Sequence, residues 1–279
     1  MLKELQNKLY GILQFLDETC KKLGIKYYLA YGTLLGAVRH KGFIPWDDDA
    51  DVWMTRADYD ILQNYLKEND LDPRYGLNYG KYSADGDRPL EFQMRIVDKK
   101  VKINKQIYGT MTDFHLWLDI FALDCVPSKK EKQYVKRFKR KLNKYKISRC
   151  KRFVTKNKTP FLKFNKLIYF LHNKLGFFKH TFVEEKVIAR AHDALTMYNN
   201  RAEECDKYFT YASVYLHSPK KCLFEKAWFG EPVSLNFESG EFCAPQKHHE
   251  LLTQVYGDYM QIPKESERIT HGTEILELE

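Results

Sequence analysis

The sequence predicts an α+β fold with a basic helical extension, on three observations. Apolar residues recur at helical spacing near the N-terminus. Short apolar and aromatic runs bounded by turn residues follow, interleaved with further helical stretches. One segment in the middle of the chain then concentrates the positive charge.

The first helix is set by Leu2, Leu5, Leu9, Leu13, Leu16, Cys20 and Leu23, three and four residues apart, and Gly24 closes it. Ile25 to Tyr31 reads as a buried strand. Gly32-Thr33 then turns the chain into a short helix, Leu34 to His40, whose free N–H groups would suit a phosphate. After Pro45-Trp46 comes a strand at 49–54, followed by a helix capped by Thr55 and Asp58 and ending near Asn69. Strands are predicted at 77–79, 92–97 and 116–121. Two helices split around Pro160 follow, and Thr181 with Glu184 caps another. Residues 228–243 are turn-rich and β-like. Pro245 opens a last helix that Gly257 stops after Tyr256.

Four carboxylates stand within five residues: Asp47, Asp48, Asp49 and Asp51. Like charges repel, so a core gains nothing from the cluster, whereas a hard divalent cation takes oxygen ligands. If the strand begins early, Asp47, Asp49 and Asp51 share one side and Asp48 faces the other. The bland alternative, an acidic loop capping the next helix, explains Thr55 and Asp58 but not the run before them. Asp119 lies inside the hydrophobic stretch LWLDIF, where a lone acid is costly unless it pairs with an Arg or completes an ion site with Asp49 and Asp51.

Composition bounds the rest. With 279 residues, 44% hydrophobic and 15% aromatic, the chain can bury a substantial core. The net charge of +9 is unevenly placed: residues 129–179 hold 19 Lys and Arg against Glu131 alone, leaving the remainder at −9. That segment either packs on the body or lies on an anionic bilayer; nucleic acid is not expected, since no nucleic-acid module is visible and the body is acidic. Six scattered cysteines without a C-x-x-C pair read as buried free thiols, ahead of a zinc site built from Cys222, Cys243 and His248 or His249. No secretory leader is visible, and the longest apolar run, Leu167 to Leu171, falls short of the ~20 residues of a spanning helix. The expectation is a cytoplasmic protein, peripheral on the inner membrane face at most.

The run YGTLLGAVRHKGFIPWDDDADV, Tyr31 to Val52, closely resembles the signature of LicD proteins, a branch of the nucleotidyltransferase superfamily. LWLDIF at 116–121, LLTQVYGDYMQIP at 251–263, and Arg268 with His271 resemble the same family. Ala50 stands where that family usually has Ile or Val, a departure that touches packing and leaves the acids in place. The resemblance implies a nucleotidyltransferase-like mixed β-sheet flanked by helices. Residues 1–128 would form its catalytic core, 129–200 the basic helical extension, and 201–279 a C-terminal part completing the catalytic unit.

The resemblance further implies carboxylates from neighbouring strands around Mg²⁺, with Mn²⁺ an alternative. Asp49, Asp51 and Asp119 would be the catalytic and metal-holding set, with Asp47 a further ligand and Asp119 also a candidate to take a proton. Gly32, Thr33, Arg39, Lys41, Trp46, Arg95, Arg268 and His271 would hold the substrate. His40 reads as readily as a bystander, and the tail bearing Arg268 and His271 as readily as solvated chain. LicD-like enzymes transfer a phospho-alcohol, most often phosphocholine, from a CDP-alcohol to a glycan hydroxyl, in teichoic acid, lipopolysaccharide or capsule; fukutin-type relatives use CDP-ribitol. The alternatives carried forward are ribitol- or glycerol-phosphate transfer, nucleotide transfer to a small molecule, and a membrane-bound adaptor without activity.

Overall fold

The computed structural model describes residues 2–69, 73–78, 92–107, 110–156, 184–211, 221–268, 270 and 272–278. It divides into two compact units, one made of Met1–Asp124 with Asp206–Glu279 and the other of Cys125–Cys205. The architecture is α+β. Among the described residues no helix is long and apolar enough to cross a membrane.

In the first unit, helix α1 (Leu2–Leu23) buries Leu5, Leu9, Ile12, Leu13 and Leu16, each worth roughly 1.5–3 kcal/mol of removal from water. Gly24 ends it at a positive φ of 64°. The strand expected over 25–31 shrinks to β1 (Tyr28–Leu29), because helix α2 (Tyr31–His40) begins earlier than the apolar run suggests. Gly32 and Thr33 therefore lie inside the first turn of α2, not in a loop before it.

Strand β2 is Asp51–Thr55, so Asp47 to Ala50 are irregular chain. The strand alternation that would put Asp47, Asp49 and Asp51 on one side does not extend to Asp47 and Asp49. Helix α3 (Arg56–Glu68) has the expected cap: the Asp58 N–H donates to the Thr55 hydroxyl at 3.3 Å, which in turn donates to the Asp58 carboxylate at 2.9 Å.

Strands β3 (Tyr75–Asn78), β4 (Gln93–Ile107) and β5 (Thr110–Val126) follow, the last two much longer than read from sequence. They pair antiparallel, with a register break between Asp98 and Lys102. After the second unit come β6 (Lys207–Thr210), β7 (Leu223–Glu225) and the hairpin β8 (Val233–Phe237) with β9 (Gly240–Ala244). The last C-terminal helix of this unit spans His248–Tyr256, and β10 (Thr273–Leu278) closes the chain.

The main sheet runs β1-β2-β5-β4-β10, with β3 also on β4 and β6 on β5 and β7. Strand β2 is parallel to β5, while β1–β2, β3–β4, β4–β5 and β4–β10 are antiparallel, which makes the sheet mixed. β4, β5 and β2 cross its middle, with Met94, Leu118, Ile120, Val52 and Met54 at 0% exposure. Beneath β2, Arg56 makes a bidentate ion pair with fully buried Asp124, at 2.8 and 3.0 Å.

The second unit contains helix α4 (Glu131–Lys156) and helix α5 (Glu184–Thr196). Tyr134, Val135, Phe138 and Leu142 form the buried face of α4, and Ala191, Ala194 and Leu195 that of α5. The Tyr134 hydroxyl donates to the Leu195 carbonyl at 2.6 Å. The second basic helix expected after Pro160, the Thr181 cap, Tyr79 and His271 lie outside the described residues.

Candidate active site

The site forms where β2 and β5 run side by side. Asp51 stands in register with Asp119 on adjacent parallel strands, which lie about 4.8 Å apart, so the two side chains leave the same face of the sheet. Backbone bonds clamp this junction. The Asp119 N–H donates to the Ala50 carbonyl at 3.0 Å, and the Ala30 N–H to the Asp51 carbonyl at 3.0 Å. The Asp51 N–H donates to the Thr33 hydroxyl at 2.8 Å, from the first turn of α2.

Asp119 is gripped from three sides. Arg95 Nε and Gln93 Nε2 donate to its Oδ1 at 2.8 and 2.7 Å, and the Trp117 indole N–H to its Oδ2 at 3.0 Å. The Arg95 guanidinium also lies 3.9 Å from the Trp117 ring centroid. Of the two readings of the acid in LWLDIF, the structure shows the pairing with an Arg, and it also sets Asp119 in register with Asp51. Gln93 and Trp117 join the site without belonging to the residues that the sequence singles out. Their signal was the period of two, which puts Gln93 with Arg95, and Trp117 with Asp119, on one face.

The loop before β2 is shaped by groups the charge pattern does not reveal. Gln6, a buried polar residue on the apolar face of α1, donates to the Ile44 and Asp47 carbonyls at 3.1 and 2.9 Å. Gly32 makes room for the Asp47 side chain, since a Cβ there would sit 2.6 Å from its Oδ2. Burial first, then the neighbouring Asp49 and Asp48, push the Asp47 carboxyl well above the usual carboxylate range. Asp48 is 3% exposed and accepts the Thr273 N–H at 2.8 Å, tying the start of β10 to the acidic run.

The predicted binding residues divide. Arg39 Nη1 donates to the Tyr259 and Gln261 carbonyls at 2.7 and 3.3 Å, and its Nε to His40 Nε2 at 2.9 Å. Arg39 thus holds the segment after the last C-terminal helix, and His40 is its partner. Trp46 and Arg268 come together, the guanidinium 4.4 Å from the ring centroid, with His40 edge-on to Trp46 at 6.2 Å. Lys41 is exposed at a left-handed φ of 59°, its carbonyl accepting the Glu238 N–H at 2.8 Å.

Among the described residues no three His, Cys, Asp or Glu side chains converge into a group able to enclose a metal by themselves, which also removes the zinc alternative there. Four of the cysteines, Cys20, Cys125, Cys205 and Cys222, are buried free thiols, while Cys243 is half-buried. An all-oxygen pair such as Asp51 and Asp119 still fits Mg²⁺, which is commonly held by one or two carboxylates plus substrate phosphates and water.

Residues 24–147 match the family model described as LicD/FKTN/FKRP, nucleotidyltransferase domain. The chain carries a LicD-family domain. Over 279 aligned positions it is 29% identical to the lipopolysaccharide cholinephosphotransferase LicD of Haemophilus influenzae, covering 97% of this chain and 95% of that protein. A stretch of 60 residues is 45% identical to an uncharacterized protein of Rickettsia prowazekii, and 43% identical to one of Rickettsia typhi, about a fifth of each chain. The LicD match takes in α2, the acidic loop, β2, β4 and β5, and so every element that positions Asp51 and Asp119 on the sheet.

Proposed function

We propose that this chain transfers phosphocholine from CDP-choline to a hydroxyl of a cell-surface glycan, with lipopolysaccharide the acceptor class and CMP the released product. The observation that carries the reading is the Asp51–Asp119 register, two carboxylates fixed side by side at the edge of a buried parallel strand pair. The choice of phosphocholine and glycan rests on the similarity to the Haemophilus enzyme across nearly the full length of both chains.

In this reading the acceptor oxygen attacks the phosphorus that bears choline. A new P–O bond forms there, the bond to the bridging oxygen breaks, and that electron pair leaves with CMP. Asp51 and Asp119 would hold Mg²⁺, with Asp49 and Asp47 as further carboxylates of the same acidic run. Bound Mg²⁺ supplies charge neutralisation on the diphosphate and its leaving oxygen. Asp119 Oδ1 takes two donors and Oδ2 one, so Oδ2 is the oxygen left to face an ion or to receive the acceptor's proton. Arg95 is committed to that carboxylate, which leaves Lys41 and the half-exposed Arg268 as cations for the donor's phosphates. Thr33 acts by fixing the Asp51 backbone, and Trp46 offers an aromatic face beside the acidic loop.

The test is to incubate the protein with Mg²⁺, a lipopolysaccharide acceptor and CDP-choline, CDP-ribitol or CDP-glycerol in turn, following CMP. Release of CMP with choline phosphate on the glycan supports the reading. A CMP-modified acceptor with free phosphocholine would show nucleotide transfer in its place. CMP released only from CDP-ribitol or CDP-glycerol would move the donor and keep the chemistry. Full activity of Asp51→Asn would remove the metal role.

A further inference from the structure

The residues named at the site belong to the first unit, and the positive charge of the second unit follows a pattern of its own. On α4, Tyr134, Val135, Phe138 and Leu142 are buried, while Lys132, Lys136, Arg137 and Arg140 are exposed. Lys132, Lys136 and Arg140 recur every four residues opposite Phe138, forming a straight row about 12 Å long at 1.5 Å rise per residue. Arg137 flanks the row, and Lys129 and Lys130 stand exposed just before the helix. Glu131 is the one acid in the whole of α4, against twelve Lys and Arg. Such a row repels itself, and neighbouring like charges four apart weaken an isolated helix. No carboxylate among the described residues pairs with Lys132, Lys136 or Arg140 to offset this.

We propose that this face of α4 docks the protein electrostatically on an anionic phospholipid surface. Clusters of four to eight Lys and Arg on one helix face match the charge density of such a surface. Two observations favour a bilayer over a soluble polyanion. Among residues 129–143 the aromatic side chains, Tyr134 and Phe138, are buried, so the exposed face offers no platform for stacking bases. The sequence that continues after α4, residues 161–178, carries lysine as its only charged type, alongside Phe161, Phe164, Leu167 and Leu171. Apolar residues among lysines gain free energy in a headgroup layer and gain none against a soluble polyanion.

The experiment is sedimentation of the full chain with vesicles of phosphatidylcholine alone, or of phosphatidylcholine and phosphatidylglycerol in equal parts, over a salt series. Binding to the mixed vesicles only, falling as salt rises, is expected. The triple variant Lys132→Ala, Lys136→Ala, Arg140→Ala should weaken it on the order of a hundredfold, at roughly fivefold for each cation near the surface. The variant Lys132→Arg with Lys136→Arg keeps the charge and should bind as the parent does. Circular dichroism on both variants separates lost binding from lost folding. Equal binding to neutral vesicles, no binding, unchanged binding by a folded triple-Ala variant, or retention on heparin at a salt concentration that frees the vesicles would each overturn the proposal. Transfer to a soluble acceptor is a separate readout: its failure would count against the catalytic reading and leave this one standing.

Discussion

Replacing Thr33 with Val separates two roles for one hydroxyl. In the structure Thr33 is 3% exposed, and its oxygen accepts the Asp51 N–H at 2.8 Å. Valine keeps the shape and removes the acceptor, leaving that N–H without its partner at the edge of β2. The cost of orphaning such a group is about 1–3 kcal/mol. For a cooperative unit of this size that is a fall in Tm of roughly 2–12 °C. Because the same bond helps fix the first residue of β2, Asp51 loses one of its anchors, and CMP release should drop with little change in KM for the donor. Thr33→Ser, which restores the oxygen, should recover both properties. Thermal melts and initial-rate measurements on the two variants suffice. A Val variant with parental stability and kcat but a raised KM would refute the clamp and return Thr33 to direct phosphate binding.

Other substitutions test the remaining contacts. Gly32→Ala puts a methyl 2.6 Å from Asp47 Oδ2, closer than side chains tolerate, so the acidic loop must shift and thermal melts should show a lowered Tm together with slower CMP release. Trp117→Phe removes one donor from Asp119 and should lower transfer about 10–100-fold, whereas Asp119→Asn should cost more than that. Arg56→Met strips the guanidinium from buried Asp124 and should destabilise by about 3–5 kcal/mol in urea titrations. Arg39→Ala should expose the chain after Gly257 to limited proteolysis; resistance equal to the parent's would undo its role as an anchor.

The sequence signals its structure where the physics is local. The α1 periodicity and the Thr55–Asp58 cap depend on neighbours three and four residues away, and both stand in the structure. The sequence does not announce strands β6, β7 and β10, because short strands gain their stability from partners distant in sequence. β10 pairs with β4 across some 170 residues, Thr273 opposite Lys105. The extension of β4 past Val97 did leave a trace. Val101 and Ile103 are buried and Lys102 is exposed, an alternation interrupted by the irregular register after Asp98. The early start of α2 overrode the apolar run because Tyr31 adopts a φ of 41°, a turn that residue type does not announce.

At the site, the acidic run was legible as a cluster but not as a division of labour. Strand alternation groups Asp47, Asp49 and Asp51, yet the chain becomes a strand only at Asp51. What sorts the acids is contact with distant elements. Asp48 turns to the Thr273 N–H, Asp47 fits the space left by Gly32, and Asp51 falls in register with Asp119. Arg39 shows the same limit from the cationic side. A basic residue ending a helix near four acids looks free to meet phosphate, but the carbonyls of Tyr259 and Gln261, more than two hundred residues later, already engage it. The C-terminal segment is therefore bound to the stretch from α2 to the acidic run at three points, through Arg39, Asp48 and the Arg268–Trp46 stack. Residues 206–279 complete the unit that holds the site, and a chain ending before Tyr259 would keep Asp51 and Asp119 in sequence while losing all three ties.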